Sequence, residues 1–353
     1  MPIVACHQLS KTYRVSAKQP GVMGTLRHFV RRRHREIEAV KDVSLAIEPG
    51  EIVGFLGANG AGKTTTLKML TGLIHPTAGT VDVAGHEPFQ REAAFRRRIT
   101  LVMGQKQQLL WDLPAMDSLR INASVYDIPR AEADRRIEHL TGLLQLDEEM
   151  TQPVRKLSLG QRMKAELVAA LLHHPKVLFL DEPTLGLDVN AQAAVRAFLK
   201  DYNEKHGAAI LLTSHYMADV TALCKRVILI HKGRIRYDGP LSEIVARFAP
   251  FREVKLELSE DHPMDAGSLR LYGEVESVEG REARLLVPRE ALTTTVNRVL
   301  AELPVLDLTV QDPPIEEVMG RLMAGEGAGP VGDGGDRDKP PASDPLPGAG
   351  AVS

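Results

Sequence analysis

The chain alternates between short apolar runs and longer segments in which apolar residues recur with helical spacing. The apolar runs at 52–56, 99–103, 177–180 and 209–213 have the length of buried strands. Helical spacing marks about 65–70, 117–125, 131–145, 159–173 and 190–205. Further strands are predicted at 1–15, from Ile37 onward, and at 80–84, 226–231 and 234–238, with a helix at 240–249. This alternation predicts an α/β domain with a largely parallel sheet covered by helices.

The pattern changes at Ala249-Pro250. Residues 252–323 predict two or three strands, a helix at 289–302, a strand at 305–310 and a last helix after Pro313-Pro314. The final segment, 325–353, holds 8 glycines and 5 prolines, a composition typical of disorder because it cannot bury enough apolar area. We therefore expect a main domain at 1–248 with an insertion at 16–36, a small α+β domain at 249–324 and a disordered tail at 325–353.

Composition and charge exclude several classes of protein. The 353 residues are 43% hydrophobic and 25% charged with a net charge of −2, which is ordinary for a globular protein and gives no overall bias toward nucleic acid. Two cysteines provide no disulfide framework, which suits a reducing cytosol. No stretch approaches the roughly 18 apolar residues that a membrane span needs. The segment from Met1 to Cys6 lacks the regions of a signal peptide.

The segment from Gly57 to Thr64 has the spacing of a phosphate-binding loop, and it lies between a predicted strand and a predicted helix. Glycines let backbone N–H groups turn toward an anion, and the helix N-terminus adds further donors. Lys63 can reach the β- and γ-phosphates, and the Thr64 hydroxyl can bind Mg²⁺. The sequence thus predicts a nucleotide site made of Gly57, Asn59, Gly60, Gly62, Lys63, Thr64 and Thr65.

A second stretch with chemistry is the strand from Val177 to Leu180, which ends in Asp181 and Glu182. Functional groups gather at the carboxyl ends of parallel strands. Because successive strand residues point to opposite faces, the two acids can take different tasks. We expect Asp181 to hold Mg²⁺ through water and Glu182 to polarise the water that attacks the γ-phosphate of ATP.

The segment Leu157-Ser158-Leu159-Gly160-Gln161 then resembles the signature sequence of ABC-transporter ATPases, with Leu159 in place of the usual glycine. The resemblance covers about residues 3–248 and implies an ABC-ATPase fold with a mixed sheet and a helical subdomain. It also implies that Ser158, Gly160 and Gln161 grip the γ-phosphate bound to a second copy of the chain. Capture of an anion at a helix N-terminus is the physical basis.

The resemblance extends to other positions, in family order. Gln105 is similar to the glutamine that contacts Mg²⁺, with Gln107 and Gln108 as rival assignments. Asp188 resembles the acid of the loop that crosses to the other subunit, and His215 resembles the switch histidine that contacts the γ-phosphate. Tyr13 resembles the aromatic residue that stacks on adenine.

Together these features predict an ATP-hydrolysing subunit that works as a homodimer with ATP and Mg²⁺ and powers a separate membrane permease. The segment 105–114 and the small domain resemble those of bacterial ABC-2 type exporters, and Trp111 would then lie in the groove that receives the permease, although ordinary packing would also explain it. Such a subunit is cytoplasmic and peripheral on the inner face of the cell membrane. A non-transport regulatory or repair ATPase is the alternative, and a scaffold without turnover is disfavoured because Glu182 and His215 are both present.

The predicted insertion is strongly basic. Its residues include Arg27, Arg31, Arg32, Arg33 and Arg35. They favour either a short helix near anionic lipid headgroups or a solvated helix that faces acidic protein surface.

Overall fold

The structure, a computed structural model, describes residues 1–16, 34–103, 108–214, 216–248, 251–259 and 266–312. The expected last helix after Pro313, the tail and most of the insertion lie outside these ranges.

The main sheet has six strands in the order β5-β6-β7-β3-β8-β9. Its strands are β3 (Ile52–Leu56), β5 (Ile99–Met103), β6 (Val177–Asp181), β7 (Ala209–Thr213), β8 (Arg226–His231) and β9 (Arg234–Pro240). All neighbours are parallel except β8 and β9, which form an antiparallel hairpin. The carboxyl ends of β3 and β6 therefore lie at the same edge, with only β7 between them.

A second sheet of three antiparallel strands has the order β2-β1-β4. It consists of β1 (Val4–Ser16), β2 (His34–Ile47) and β4 (Ala78–Val83). β2 begins three residues before the predicted start at Ile37, and Ser16 pairs with His34, so both ends of the predicted insertion lie in strands. Arg35 and Glu36 are polar and exposed, which is why no apolar pattern marks this start.

Helices cover both faces of the main sheet. They are α1 (Lys63–Leu70), α2 (Ala93–Arg96), α3 (Ala115–Val125), α4 (Arg130–Leu144), α5 (Leu159–Leu171), α6 (Val189–His206), α7 (Met217–Leu223) and α8 (Leu241–Phe248). The long helices lie within about two residues of their predicted bounds, whereas α2 and α7 have no counterpart in the prediction. Ser158 and Asp188 cap α5 and α6 with their side chains, and such caps fix where helices begin.

The alternation along β6 divides the interior into two hydrophobic cores. Leu178 and Leu180 belong to the core shared with α3 to α6. Val177 and Phe179 point the other way, into the core with α1 and the antiparallel sheet. A strand buried on both faces reads as a continuous apolar run, which is why these strands were evident in the sequence.

The C-terminal part forms its own antiparallel sheet in the order β11-β12-β10-β13. Its elements are β10 (Phe251–Leu258), α9 (Ala266–Leu269), β11 (Glu274–Glu279), β12 (Glu282–Pro288), α10 (Leu292–Glu302) and β13 (Val305–Gln311). Val254, Leu285 and Val299 lie in its separate core. Over the described ranges, no helix combines the length and the apolar character needed to span a membrane.

Candidate nucleotide site

The loop between β3 and α1 requires glycine at two points where backbone from other strands crosses it. A Cβ on Gly57 would lie 2.2 Å from the Ile230 carbonyl oxygen, and a Cβ on Gly62 would lie 2.6 Å from the Ala39 carbonyl oxygen. Gly62 also has a φ of 112°, which side chains rarely allow. The loop is thus held tightly against β2 and β8. Asn59 and Gly60 are exposed at its tip.

The N-terminus of α1 is open to an anion. Its cap residue is Gly62, so no side chain caps the free N–H groups of the first turn. Those donors and the positive end of the helix dipole point at the space beyond the loop. Thr65, in this first turn, is partly buried.

Lys63 lies folded along the loop. Its Nζ donates to the carbonyl oxygens of Gly57 at 2.5 Å and Ala58 at 3.2 Å. Burial lowers the pKa of Lys63, and the negative charges of Glu182 and Asp181 oppose that shift. An ammonium group that is partly stripped of water and held by these two carbonyl oxygens can exchange them for phosphate oxygens, which are stronger acceptors.

The Asp181 side chain links the end of β6, on which it lies, to α1 and to β7. The Thr64 hydroxyl donates to Asp181 Oδ2 at 2.9 Å, and the Thr213 hydroxyl donates to Asp181 Oδ1 at 2.7 Å. Glu182 follows with a φ of 56°, and its N–H donates to the Thr213 carbonyl and hydroxyl oxygens, both at 3.1 Å. The chain turns out of the strand at Glu182, which is in the left-handed region that non-glycine residues adopt less often.

The predicted signature segment forms a capping box at the start of α5. Gln161 N donates to Ser158 Oγ at 3.2 Å, and Ser158 N donates to Gln161 Oε1 at 2.9 Å. Gln161 Nε2 is also bound, by Glu149 Oε1 at 2.8 Å. Among the hydrogen bonds of the described residues, none joins this segment to the phosphate loop of the same chain. The two predicted halves of the site therefore share no hydrogen bond within the described part of one subunit.

Leu159, the departure from the family sequence, packs against the 183–188 loop. A Cβ on Gly186, which has a φ of 75°, would lie 2.9 Å from Leu159 Cδ2. Gly160 lies close to Ala191 of α6, where an added Cβ would be 3.2 Å from the Ala191 methyl group. Asp188 Oδ1 accepts from Ala191 N at 2.9 Å. The signature segment and the predicted crossing loop thus contact each other directly.

Three further predictions have different outcomes. Gln105, its rival Gln107 and His215 lie outside the described residues. Gln108, the remaining rival, points its Nε2 at the Leu101 carbonyl oxygen, 3.4 Å away. Tyr13 is 36% exposed and has Lys11 Nζ 5.4 Å from its ring centroid.

The sequence reasoning missed Asp219, which lies on the unpredicted helix α7 and is fully buried. It accepts hydrogen bonds from Ser214 Oγ and Arg196 Nη1, both at 2.8 Å, and from Thr184 Oγ1. Thr184 follows Glu182 by two residues, and Ser214 precedes His215. The available signal was an acid within a short, mostly apolar segment four residues after His215, but that pattern alone does not show that the carboxylate is buried.

The fold and the loop geometry define a P-loop nucleotide-binding protein with adjacent acids at the end of a parallel strand. Residues 40–185 match the family model described as "ABC transporter", and residues 250–311 match "EvrA-like ABC transporter, C-terminal domain". The chain belongs to the ATP-binding proteins of ABC transporters, as the resemblance predicted. It is an ATPase whose activity is coupled to transport across a membrane. Proteins of this family act with membrane permeases and dimerise.

Relatives of known name span most of the chain. The ABC transporter ATP-binding protein NatA of Bacillus subtilis is 37% identical over 60% of this chain and 86% of its own length. The bacitracin transport ATP-binding protein BcrA of Bacillus licheniformis is 29% identical over 82% of this chain and 93% of its own length. The linearmycin resistance ATP-binding protein LnrL of Bacillus subtilis is 28% identical over 82% of this chain and 94% of its own length.

Solved structures confirm the predicted fold class. One ATP-binding subunit of an ABC transporter has a TM-score of 0.58 and 28% identity, and the match covers 70% of this chain and 93% of that one. A dimeric ATP-binding cassette in a post-hydrolysis state with ADP and Pi has a TM-score of 0.57 and 23% identity, and covers 67% of this chain and 98% of that one.

Proposed function

We propose that this chain is the Mg-ATP-hydrolysing subunit of a bacterial ABC-2 type exporter, held at the cytoplasmic face of the cell membrane by a separate permease. The observation that carries the proposal is the convergence of Lys63, Thr64, Asp181 and Glu182 at the carboxyl ends of β3 and β6, with a direct hydrogen bond of 2.9 Å between Thr64 and Asp181. Phosphoryl transfer depends mainly on positioning and charge stabilisation, so this small set of groups suffices.

ATP is bound first by the phosphate loop. The N–H groups at the start of α1 and the Lys63 ammonium hold the β- and γ-phosphates, with Gly57, Asn59, Gly60, Gly62 and Thr65 forming the rest of the cradle. Tyr13, whose ring is partly exposed, stacks on adenine.

The Thr64 hydroxyl and the Asp181 carboxylate are hard oxygen donors in direct contact, which fits Mg²⁺, an ion that takes one or two protein ligands and completes its shell with phosphates and water. Gln105 is the third expected ligand. When bound, Mg²⁺ neutralises charge that develops on the phosphate oxygens. The second hydrogen bond of Asp181, from Thr213, fixes the orientation of its carboxylate.

Hydrolysis requires a base beside the γ-phosphate. Glu182 takes a proton from the attacking water, and its backbone is fixed by two hydrogen bonds to Thr213. His215, next to the Ser214 that Asp219 holds, contacts the γ-phosphate.

The site is completed by a second copy of the chain. The Ser158 segment makes no hydrogen bond to the described phosphate loop of its own subunit. The Ser158 hydroxyl accepts from Gln161 N and can still donate its own hydrogen to a phosphate oxygen. In a head-to-tail homodimer Ser158, Gly160 and Gln161 cover the γ-phosphate held by the other copy, and Asp188 crosses the interface. ATP binding closes the pair and hydrolysis reopens it, a shift between conformations driven by a ligand.

The permease meets the surface around Leu110 and Trp111, which are 47% and 44% exposed. Export of a small antimicrobial compound is favoured by the relatives named for bacitracin transport and linearmycin resistance. The small domain at 249–324 is accessory to the ATPase domain at 1–248.

The test compares the wild type with Lys63→Ala and with Lys68→Ala as a matched control on the same helix. Lys63→Ala is expected to weaken ATP binding by about 10- to 150-fold, the equivalent of a charge-assisted hydrogen bond of about 1.5–3 kcal/mol. Isothermal titration with ATP measures the affinity of each protein.

Purification of the tagged full chain from its native membrane then identifies the partner, and a polytopic permease is expected. ATP turnover that needs DNA, with no membrane partner, would instead favour the repair alternative.

A further inference from the structure

The segment 108–113, which carries Trp111, is fastened to helix α5 by a buried carboxylate. Glu166 of α5 is 4% exposed. It accepts hydrogen bonds from Gln108 N at 2.9 and 3.1 Å, one to each oxygen, and from Leu109 N at 3.2 Å. A carboxylate held by backbone N–H groups fixes the chain that donates them, because breaking the contact leaves both a charge and two donors unsatisfied.

One helical turn earlier, Arg162 contacts the same segment. Its guanidinium carbon lies 5.3 Å from the Trp111 ring centroid, within the range of a cation–π interaction. Arg162 and Glu166 are four residues apart and therefore project from one face of α5. That face starts at the turn whose N-terminus is capped by Ser158.

The segment is also tied to the chain that precedes the signature. Val154 N donates to the Leu113 carbonyl oxygen, and Arg155 N donates to the Trp111 carbonyl oxygen, both at 3.0 Å. A β-bridge joins Pro114 to Pro153. The segment 108–113 is thus bound to both flanks of residues 157–161, so a displacement of Ser158 that leaves these contacts intact must carry Trp111 with it.

The free-energy cost of burying a carboxylate indicates that Glu166 has a role beyond packing. Burial raises the pKa of Glu166, while the hydrogen bonds from the backbone of Gln108 and Leu109 and the charge of Arg162 lower it. A buried leucine or alanine would avoid the cost of desolvation but would leave two backbone N–H groups unpaired. The carboxylate is the group that fastens this loop to this helix.

We propose that Glu166 and Arg162 are positioning residues that make α5 and the segment 108–113 move as one body, so that capture of a nucleotide by Ser158 is transmitted to the Trp111 surface. The inference rests on the proposed function, since the capture occurs in the ATP-bound dimer. It adds the physical connection through which the nucleotide site and the exposed Leu110–Trp111 surface are coupled.

Trp111 is the single tryptophan of the chain, so its fluorescence reports on this surface alone. The experiment uses the full chain with Glu182→Gln, with which Mg-ATP is expected to give a stable dimer. ATP addition should change the Trp111 emission, because the ring moves together with α5 and its exposure to solvent changes relative to the rest of the subunit. Adding Glu166→Gln, which removes the charge and replaces one of the two acceptor oxygens with an NH₂ group, should reduce this change at least about twofold while the dissociation constant for ATP stays within about threefold. Glu138→Gln on the exposed face of α4 is the charge-matched control and should leave the response intact.

The outcomes are distinguishable. Failure of the Glu182→Gln protein to bind ATP or to dimerise would contradict the proposed function itself. Normal ATP binding and dimerisation with an unchanged Trp111 spectrum would overturn the coupling, and so would a full response in the Glu166→Gln protein. If Glu166→Gln lowers the yield of folded protein, Arg162→Lys tests the same connection, because it keeps the charge and loses the planar contact with the ring. A full response in Arg162→Lys, normalised to its own nucleotide-free spectrum, would then count against the proposal.

Discussion

Thr64 and Asp181 are 117 residues apart in the chain, yet the Thr64 hydroxyl donates a hydrogen bond of 2.9 Å to the Asp181 carboxylate. Thr64 lies in the first turn of α1 and Asp181 ends β6, and the parallel sheet brings these ends to one edge. This contact is the geometric basis for the proposed Mg²⁺ site. It also provides a direct test.

Asp181→Asn is expected to lower the affinity for Mg²⁺ by about 10- to 100-fold, as loss of a carboxylate that holds a metal through water does. The amide keeps the size of the side chain. Its oxygen can still accept from one of the two hydroxyls and its NH₂ group can donate to the oxygen of the other, so the fold should be retained. The measurement is the ATPase rate as a function of Mg²⁺ concentration. Thr64→Ser keeps a hydroxyl at the site and serves as the control. An unchanged Mg²⁺ dependence in Asp181→Asn would place the metal elsewhere.

Glu182→Gln should bind ATP and slow its hydrolysis by about 10²- to 10⁴-fold, the contribution of a positioned general base. ATP that is bound but not hydrolysed keeps the proposed dimer closed. Light scattering after gel filtration should therefore give the mass of a dimer with Mg-ATP and of a monomer without it. Glu148→Gln, an exposed acid, is the control and should hydrolyse ATP at the wild-type rate. A Glu182→Gln protein that is monomeric both alone and in the complex with its permease would contradict the head-to-tail scheme.

Much of the main domain could be predicted because its strands are buried on both faces. β5 and β7 begin and end at the predicted residues, since continuous apolar runs mark them without ambiguity. The antiparallel sheet was not evident, because its pairing of β1 with β4 joins distant parts of the chain and no short-range pattern encodes it. The start of β2 was missed for the related reason that its first residues are polar and exposed.

The residues of the candidate site also fall into those that the sequence predicted and those that it did not. Local sequence patterns, a phosphate-loop spacing and an acid pair at the end of a strand, predicted Lys63, Thr64, Asp181 and Glu182. Glu166 was not predicted, because it binds residues that are 57 and 58 positions away in the sequence. Asp219 was not predicted, because it lies on a helix that the sequence did not predict. A buried acid is recognised only when its hydrogen-bond partners are known.

Asp219 should be essential for stability. Asp219→Ala is expected to lower the free energy of unfolding by about 3–5 kcal/mol, because it leaves the charge of Arg196 and the hydroxyls of Ser214 and Thr184 without their shared acceptor. Ser214→Ala removes one of the donors to Asp219 and the acceptor of the part-buried Tyr216 N–H, and should cost less, about 1–3 kcal/mol. Urea unfolding followed by circular dichroism measures both. Equal, small losses in the two variants would show that the buried charge is compensated in another way.

Acid should destabilise the protein through His173. Its Nε2 lies 3.0 Å from the Ile99 carbonyl oxygen and therefore carries the hydrogen, and its ring stacks on Tyr126 with 3.9 Å between centroids. Its Nδ1 is buried and has no hydrogen-bond partner within the described part of the chain. Burial lowers the pKa of His173, the charge of Arg136 acts in the same direction, and the hydrogen bond to Ile99 opposes both.

Because the pKa of His173 is lower in the folded protein than in the unfolded chain, the unfolded chain binds this proton more readily. Stability is therefore complete above the ordinary histidine pKa of about 6.5 and falls as the pH drops below it, by at most about 1.4 kcal/mol per pH unit for one site. Urea unfolding at pH 7.5 and 5.5 measures the loss for the wild type and for His173→Gln, whose amide can still donate to Ile99 but does not titrate. The wild type should lose more stability than the variant between these two pH values. An equal loss in both proteins would assign the acid sensitivity to other groups.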